Sequence, residues 1–485
     1  MTEPQSVQAY IDQTPSWPDG TPTPSVPMTQ MQWRIWTLAT AGKFFEGLVV
    51  FMTGVALPLI VEEFGLSPTG KGLVSAATLA GIMVGAVALG GLADVYGRRR
   101  MFVIEMLVFV IFLAGLTIAP SFAWLVFFLF GVGVALGCDY PTAHLVISES
   151  IPSRDRGKLV LAAFAFQAIG ALAGTALGFT ILTFDPSLEA WRWMYATAIV
   201  PAAFVVFARL FVSDSGQWLV SRGRRTEAER ELRRLLKRTP QYPKQVRLAG
   251  GDDAAAHHSH HRHGRWADLF NRKNRRATIL ASVPWFLQDL GTYGIGIFTP
   301  TILAHTIGHE VTHAHNVSAL IARDLEGAKG AALVDTLLIV GILAAVLMSD
   351  RVGRIRLQVL GFLGCAAGLA MAALQSHVEE PARTMLLFGG FMLFNFMTNL
   401  GPNSQTYLLA GEVFPTHIRG KGAGFAAAFA KIGAVLTAFI FPVILADTGT
   451  DVLLTGLVFT SLLGALITWW FRIETAGVNL EEIGR

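Results

Sequence analysis

Twelve stretches of about 20 mostly apolar residues follow one another along this chain, the length an α-helix needs to cross the hydrocarbon core of a bilayer. They fall near 35–61, 72–93, 101–119, 122–147, 158–182 and 191–213, and again near 277–304, 330–349, 355–375, 384–410, 422–446 and 452–472. Lipid offers no hydrogen-bond partners, so such segments must satisfy their backbone internally. The expectation is an all-α membrane protein. Composition agrees: 15% of residues are charged, where a soluble domain carries about 25%. The net charge of +4 is gathered in a few short connections. It is a topology signal and not a nucleic-acid footprint, and no nucleic-acid partner is expected. Cys138 and Cys365 lie inside apolar runs and read as buried free thiols.

The basic residues set an orientation. Arg98, Arg99 and Arg100 follow the second segment, Arg154, Arg156 and Lys158 the fourth, Arg351, Arg354 and Arg356 the eighth, and Arg419 and Lys421 the tenth. Odd-numbered connections carry acids such as Glu62, Glu63, Glu379, Glu380, Asp447 and Asp451. The positive-inside rule places the even connections and both termini in the cytoplasm. The expected division is a disordered tail over 1–30, a six-helix bundle over 31–213, a cytoplasmic loop over 214–275, a second bundle over 276–473 and a tail over 474–485. Within the loop, 226–238 reads as an amphipathic surface helix.

The two halves repeat. Asp94-x-x-Gly97-Arg98 ends segment two, and Asp350-x-x-Gly353-Arg354 ends segment eight. Glu149-x-x-Pro152-x-x-x-Arg156-Gly157-Lys158 ends segment four, and Glu412-x-x-Pro415-x-x-x-Arg419-Gly420-Lys421 ends segment ten. Identical spacing in the same order points to a duplicated six-helix unit. Gly97 suits a tight turn between helices. Asp94, Arg98, Glu149, Arg156, Asp350, Arg354, Glu412 and Arg419 would form pairs that break and reform as the halves rock. The plainer alternative is that the arginines only fix topology.

These loop patterns resemble those of the major facilitator superfamily, over roughly residues 42–470. Gly91-Leu92-Ala93-Asp94-Val95-Tyr96-Gly97-Arg98-Arg99-Arg100 resembles its loop motif, and Ser215-Gly216-Gln217-Trp218-Leu219 with Gly223-Arg224 resembles its sugar-porter-like branch. The resemblance implies twelve transmembrane helices in two pseudo-symmetric bundles.

Charges at membrane depth are costly and mark function. Glu46, Asp139, Asp289 and Lys431 stand out, each on a different segment. Asp289 has Trp285 and Tyr293 four residues to either side, placing indole, carboxylate and phenol along one helix face. Asp139 and Tyr140 precede Pro141, and Asn403 follows Gly401-Pro402, where irregular helices line cavities. Gln167 and Lys431 occupy nearly equivalent places in the two halves.

This constellation resembles the phosphate:proton symporter branch: Gly137-Cys138-Asp139-Tyr140-Pro141 in segment four, Trp285, Asp289 and Tyr293 in segment seven, Gly401-Pro402-Asn403 in segment ten and Lys431-Ile432-Gly433-Ala434 in segment eleven. The resemblance implies that Tyr140, Gln167, Trp285, Asp289, Tyr293 and Asn403 contact substrate. Asp139 and a first-helix acid, here Glu46, would carry protons, with Lys431 near them. Val49 stands where relatives have a second first-helix acid, and Thr142-Ala143-His144 replaces Leu-Ser-Ala. His144 reads as a relay or as a packing histidine. A sugar porter fits less well, since Gln405 stands where those proteins have a tryptophan.

His257, His258, His260, His261 and His263, and His305, His309, His313 and His315, read as solvated loop histidines, and no metal site is expected. The sequence has no phosphate-binding loop and no catalytic triad signature, so neither an enzyme nor a cofactor is expected. The reading is a secondary active transporter working as a monomer in the plasma membrane, proton-coupled, for a small anion such as phosphate. An organic-acid symporter, a sugar-type facilitator and a non-transporting nutrient receptor remain as alternatives.

Overall fold

The computed structural model describes residues 5–17, 19–23, 26–89, 92–154, 156–237, 246–248, 265–307, 317–415 and 418–476. The side chains of Asp94, Tyr140 and Arg156 lie outside this description, as do the loop histidines from 257 to 263 and from 305 to 315.

The transmembrane helices of the first half are α1 (Gln30–Phe64), α2 (Pro68–Val84, extended by a π turn over Gly85–Leu89 and by Leu92–Tyr96), α3 (Arg98–Thr117), α4 (Phe122–Ser150), α5 (Arg156–Phe184) and α6 (Ala190–Arg209). Those of the second are α7 (Arg275–Ile307), α8 (Val317–Val352), α9 (Arg354–Ala373), α10 (Ala382–Leu400, continued by Pro402–Glu412), and α11 and α12, the two arms of Arg419–Trp470 that meet at Gly449. Among the described residues, ten spans have the length and apolar composition to cross a membrane, and the last of them contains both α11 and α12. With the 33-residue α7, which carries Asp289, the two halves hold twelve long helices.

Local chemistry sets the ends. Thr29 and Gln32 form a capping box at the start of α1. Gly97 and Gly353 hold φ of 103° and 99° at the starts of α3 and α9, a conformation side chains resist. The two halves therefore turn alike where their sequences repeat. Gly401 breaks α10 ahead of Pro402, whose ring cannot continue the preceding helix.

Packing repeats as well. α1 packs on α5 as α7 packs on α11, α2 on α4 as α8 on α10, and α3 on α4 as α9 on α10. The halves meet through α1–α7, α2–α11 and α5–α8. At the end opposite the Arg-rich loops this contact is close. Gly54 faces the carbonyl of Ile297, and Gly72 that of Phe439, with no room for a Cβ at either place. Thr175 of α5 also donates to Asp335 of α8 at 3.2 Å. At the basic end, Tyr407 of α10 stacks on Phe164 of α5, ring centroids 5.0 Å apart. His144 of α4 is exposed there.

Two loop regions differ in detail from expectation. The tail expected to be disordered contains a helix, Val7–Asp12, because Val7, Tyr10 and Ile11 at i, i+3 and i+4 give it an apolar face. That face is buried against Trp218, Leu219 and Leu232, and the Tyr10 hydroxyl donates to the Arg247 carbonyl at 3.1 Å. The amphipathic helix of the central loop runs over Arg225–Leu235.

Candidate functional site

Where α1, α7 and α11 meet at the centre of the molecule, two carboxylates and two ammonium groups form one cluster. Lys43 and Glu46 are three residues apart on α1, so they share a face, and their side chains pair at 2.7 Å. Asp289 and Tyr293 lie one turn apart on α7. Lys431 of α11 sits 3.3 Å from Asp289 and 3.6 Å from Glu46.

Tyr293 is the junction. Its hydroxyl donates to Glu46 Oε1 at 3.0 Å and accepts from Lys431 Nζ at 2.6 Å and from Gln167 Nε2 of α5 at 3.2 Å. One donated and two accepted bonds fill a hydroxyl's capacity. Lys431 also lies 4.3 Å from the Tyr293 ring centre. Glu46 is 3% exposed, Asp289 1%, Tyr293 3% and Lys431 6%. Charges so buried persist only when paired, and here two positive charges balance two negative ones. The Gln167 carbonyl oxygen has no partner among the described residues, leaving an acceptor unused inside the cluster.

An aromatic layer separates the cluster from the basic end. Trp285 meets Tyr407 edge-to-face at 6.1 Å, Tyr407 stacks on Phe164, and Lys43 Nζ lies 5.5 Å from the Phe164 ring centre. Asn403 donates to Asn399 at 2.6 Å within α10, and Asn399 donates to the Leu338 carbonyl of α8.

The structure thus brings Glu46, Gln167, Asp289, Tyr293 and Lys431 together, with Trp285 one turn below them. Asp139 is elsewhere. Its carboxylate pairs with Arg209 of α6 at 2.5 Å, inside the first half and not beside Lys431. Arg209 has no solvent exposure; it also donates to the carbonyls of Phe102 (2.7 Å) and Leu38 (2.9 Å). Glu105 is buried next to this pair and accepts from Thr142 at 2.7 Å and from the Cys138 thiol at 3.1 Å. Tyr140 follows Asp139 on α4, but its side chain is outside the described residues.

At the basic end the repeat becomes geometry. Arg98 donates to Glu149 at 2.9 Å and to the Ala93 carbonyl at 3.0 Å. Arg354 pairs with Glu412 at 3.3 Å and Asp350 at 2.8 Å and donates to the Ser349 carbonyl at 3.2 Å. Both ion-pair sets stay within their own half. Arg419 donates to the Phe414 carbonyl at 3.1 Å, closing the end of α10.

Sequence reasoning passed over Lys43, Glu105 and Asp335, although each is a charge inside an apolar run and the rule that found Glu46 would have found them. Arg209 stands at the end of its segment, where an arginine carries no signal beyond topology. Phe164 and Tyr407 carry no sequence signal apart from other aromatics.

A paired-charge site buried between two six-helix halves defines a secondary transporter of the major facilitator type, a class of transporters and not of enzymes. The profile of the family described as "Sugar (and other) transporter" matches residues 35–485, and the chain belongs to that family. It is similar to the inner membrane metabolite transport protein YgcS of Escherichia coli, 29% identical over 462 residues and covering 95% of each chain. It is also similar to the repressible high-affinity phosphate permease of Neurospora crassa, 28% identical over 434 residues, covering 81% of this chain and 73% of that one. Among solved structures, the partially occluded inward-open form of the xylose transporter XylE from Escherichia coli superposes with a TM-score of 0.74. It covers 93% of this chain and 100% of its own at 20% identity, a likeness of fold.

Proposed function

We propose that this transporter is a proton-coupled symporter of a small anion, with inorganic phosphate as the leading substrate. The observation that carries the reading is the balance of Lys43 and Lys431 against Glu46 and Asp289 across the two halves. A proton on either carboxylate leaves one net positive charge at the centre. An incoming anion then restores neutrality, so each ligand makes room for the other. A unit charge at about 4 Å is worth roughly 4 kcal/mol at an effective dielectric of 20, enough to tie the two binding events together.

Glu46 is the first candidate for the coupling proton because it faces both lysines and Tyr293. Asp139 remains a candidate only if its pair with Arg209 opens during the cycle. Gln167, Asp289, Tyr293 and Lys431 would hold the anion. Trp285, Tyr407 and Phe164 would close the site toward the basic end, with Asn403 near its edge. With the Arg-rich end in the cytoplasm, as the positive-inside rule expects, the close contacts at the opposite end would make this an inward-facing or occluded arrangement. The working unit is a monomer in the cytoplasmic membrane.

The phosphate permease relative supports an oxyanion. The bacterial metabolite transporter, covered over a larger share of its length, keeps open a second reading, an organic acid or other small metabolite. A thermal-stability screen of purified protein at pH 6 against phosphate, carboxylates and sugars tests the choice. Phosphate at about 100 times its Kd should add roughly 2.7 kcal/mol. Stabilisation by a carboxylate or a sugar, with phosphate silent, would replace the proposal.

A further inference from the structure

At the end opposite the Arg-rich loops, a cavity of about 510 Å³ opens where the two halves meet. Ser67 and Lys71 from the start of α2, Thr301 from α7, Pro442 and Ala446 from α11, and Thr450 at the junction with α12 are among the residues that line it. Lys71 is the charged side chain in this otherwise hydroxyl and apolar lining. Its ammonium lies 5.9 Å from the Phe298 ring centre. Asp324 of α8 is the acid whose charge reaches Lys71, and neither of its carboxylate oxygens has a hydrogen-bond partner among the described residues.

Thr301 adds an independent sign of a ligand. Its side-chain oxygen has no partner among the described residues, although the residue is 4% exposed. Threonines in these helices usually bond back one turn, as Thr299 does to the Ile295 carbonyl at 2.7 Å and Thr53 to the Val49 carbonyl at 2.7 Å. The carbonyl one turn before Thr301 belongs to Ile297 and faces Gly54 across the interface between halves. Thr301 lines the cavity, and its buried hydroxyl is left as an unused donor one rotamer away from it.

The geometry points to an outer loading site for a small oxyanion, held by Lys71 and Thr301, separate from the central cluster. Its ligand class rests on the small-anion reading proposed above. Thr301 lies eight residues beyond Tyr293 on α7, about 12 Å along the helix. The Gly54–Ile297 and Gly72–Phe439 contacts close the way between them. An anion arriving from outside would wait here until those contacts part. With one cation and one hydroxyl to hold it, the ligand binds weakly, as it must at a site on a transport path if it is to move on.

The test is protection of Lys71 from a membrane-impermeant amine-acylating reagent, read by peptide mass spectrometry on the full chain in nanodiscs. Saturating inorganic phosphate should lower Lys71 labelling about tenfold, and sodium chloride at equal ionic strength should not. The protection should persist in Lys431→Met, where the central site is disabled. Thr301→Val should raise the half-protecting concentration about fivefold, the worth of one hydrogen bond, and Thr301→Ser should restore it. In transport, Lys71→Gln should raise KM with kcat unchanged, and Lys71→Arg should recover the original KM. Absent protection, or equal protection by chloride, overturns the site. Protection that vanishes in Lys431→Met also overturns it, since Lys71 would then be reporting only on occupancy of the central cluster, whose reading would stand.

Discussion

The Tyr293 hydroxyl of α7 donates to the Glu46 carboxylate of α1 at 3.0 Å, a hydrogen bond that joins the two halves at the centre of the molecule. Because the same oxygen accepts from Lys431 and Gln167, it can donate only to Glu46. A proton on Glu46 removes the charge that attracts Lys431 across the halves and makes one carboxyl oxygen a donor, while the other can still accept from Tyr293. The charge state of Glu46 and the contact between the halves are therefore linked.

Glu46→Gln keeps an oxygen for Tyr293 but cannot gain or lose a proton in the physiological range. Uphill accumulation driven by an inside-alkaline pH gradient should disappear in proteoliposomes, while exchange of substrate for substrate continues in part. Accumulation at the wild-type level would remove Glu46 from coupling and turn attention to Asp289, and to Asp139 only if its ion pair opens.

The Asp139–Arg209 pair makes a different prediction. Arg209 is fully buried, so Arg209→Met would strand the Asp139 carboxylate, at a cost of about 3–5 kcal/mol. Pairing it with Asp139→Leu removes the stranded charge and should recover much of that loss in thermal unfolding. If instead Arg209→Met leaves stability unchanged and abolishes only coupling, Asp139 is a mobile proton carrier and the pair is transient.

Gating is expected at the basic end. Glu149 holds Arg98 as Glu412 holds Arg354, each within its own half and away from the central cluster. Glu149→Gln weakens a charge-assisted bond worth about 1.5 kcal/mol or more. If that bond is made in only one state, turnover should fall about tenfold while the equilibrium Kd holds. Asp94→Asn, in the motif that carries Arg98, should act in the same direction. A normal transport rate, or a tenfold loss of affinity, would exclude a gating role.

Much of this was legible in the sequence because it is periodic or duplicated. Apolar runs marked the helices, and the repeat of Asp94-x-x-Gly97-Arg98 at Asp350-x-x-Gly353-Arg354 marked the halves. The grouping of Asp289, Tyr293, Lys431, Gln167 and Glu46 was legible through spacing and resemblance. Which charge pairs with which was not. Asp139 and Arg209 are 70 residues apart, and an arginine at a helix end normally signals topology. Lys43 and Asp335 are charges inside apolar runs, but their partners, Glu46 aside, come from helices that only the tertiary fold brings close. The Val7–Asp12 helix escaped notice because six residues between prolines carry too little pattern without the surface they dock on.

The last prediction concerns Asp289, which discriminates between substrate classes. A carboxylate in an anion site is repulsive by roughly 4 kcal/mol at about 4 Å and an effective dielectric of 20. Lys431, 3.3 Å away, offsets that repulsion, but a ligand that draws Lys431 toward itself uncovers Asp289 again. The arrangement works if the ligand carries its own acidic hydrogen, as dihydrogen phosphate does. Asp289 then accepts that hydrogen while Gln167, Tyr293 and Lys431 turn to the remaining oxygens. A fully ionised carboxylate has no hydrogen to offer. A neutral polyol can donate to Asp289 but has little need of Lys431. Asp289→Asn should therefore weaken phosphate binding by at least about 1.5 kcal/mol, the lower range for a charge-assisted bond, and Lys431→Met should weaken it as well. Calorimetry of both variants near pH 6 measures this. Unchanged phosphate affinity in Asp289→Asn, or tighter binding of a plain carboxylate by that variant, would set the phosphate reading aside in favour of an organic acid. A ligand that needs Asp289 and ignores Lys431 would instead be a sugar or polyol.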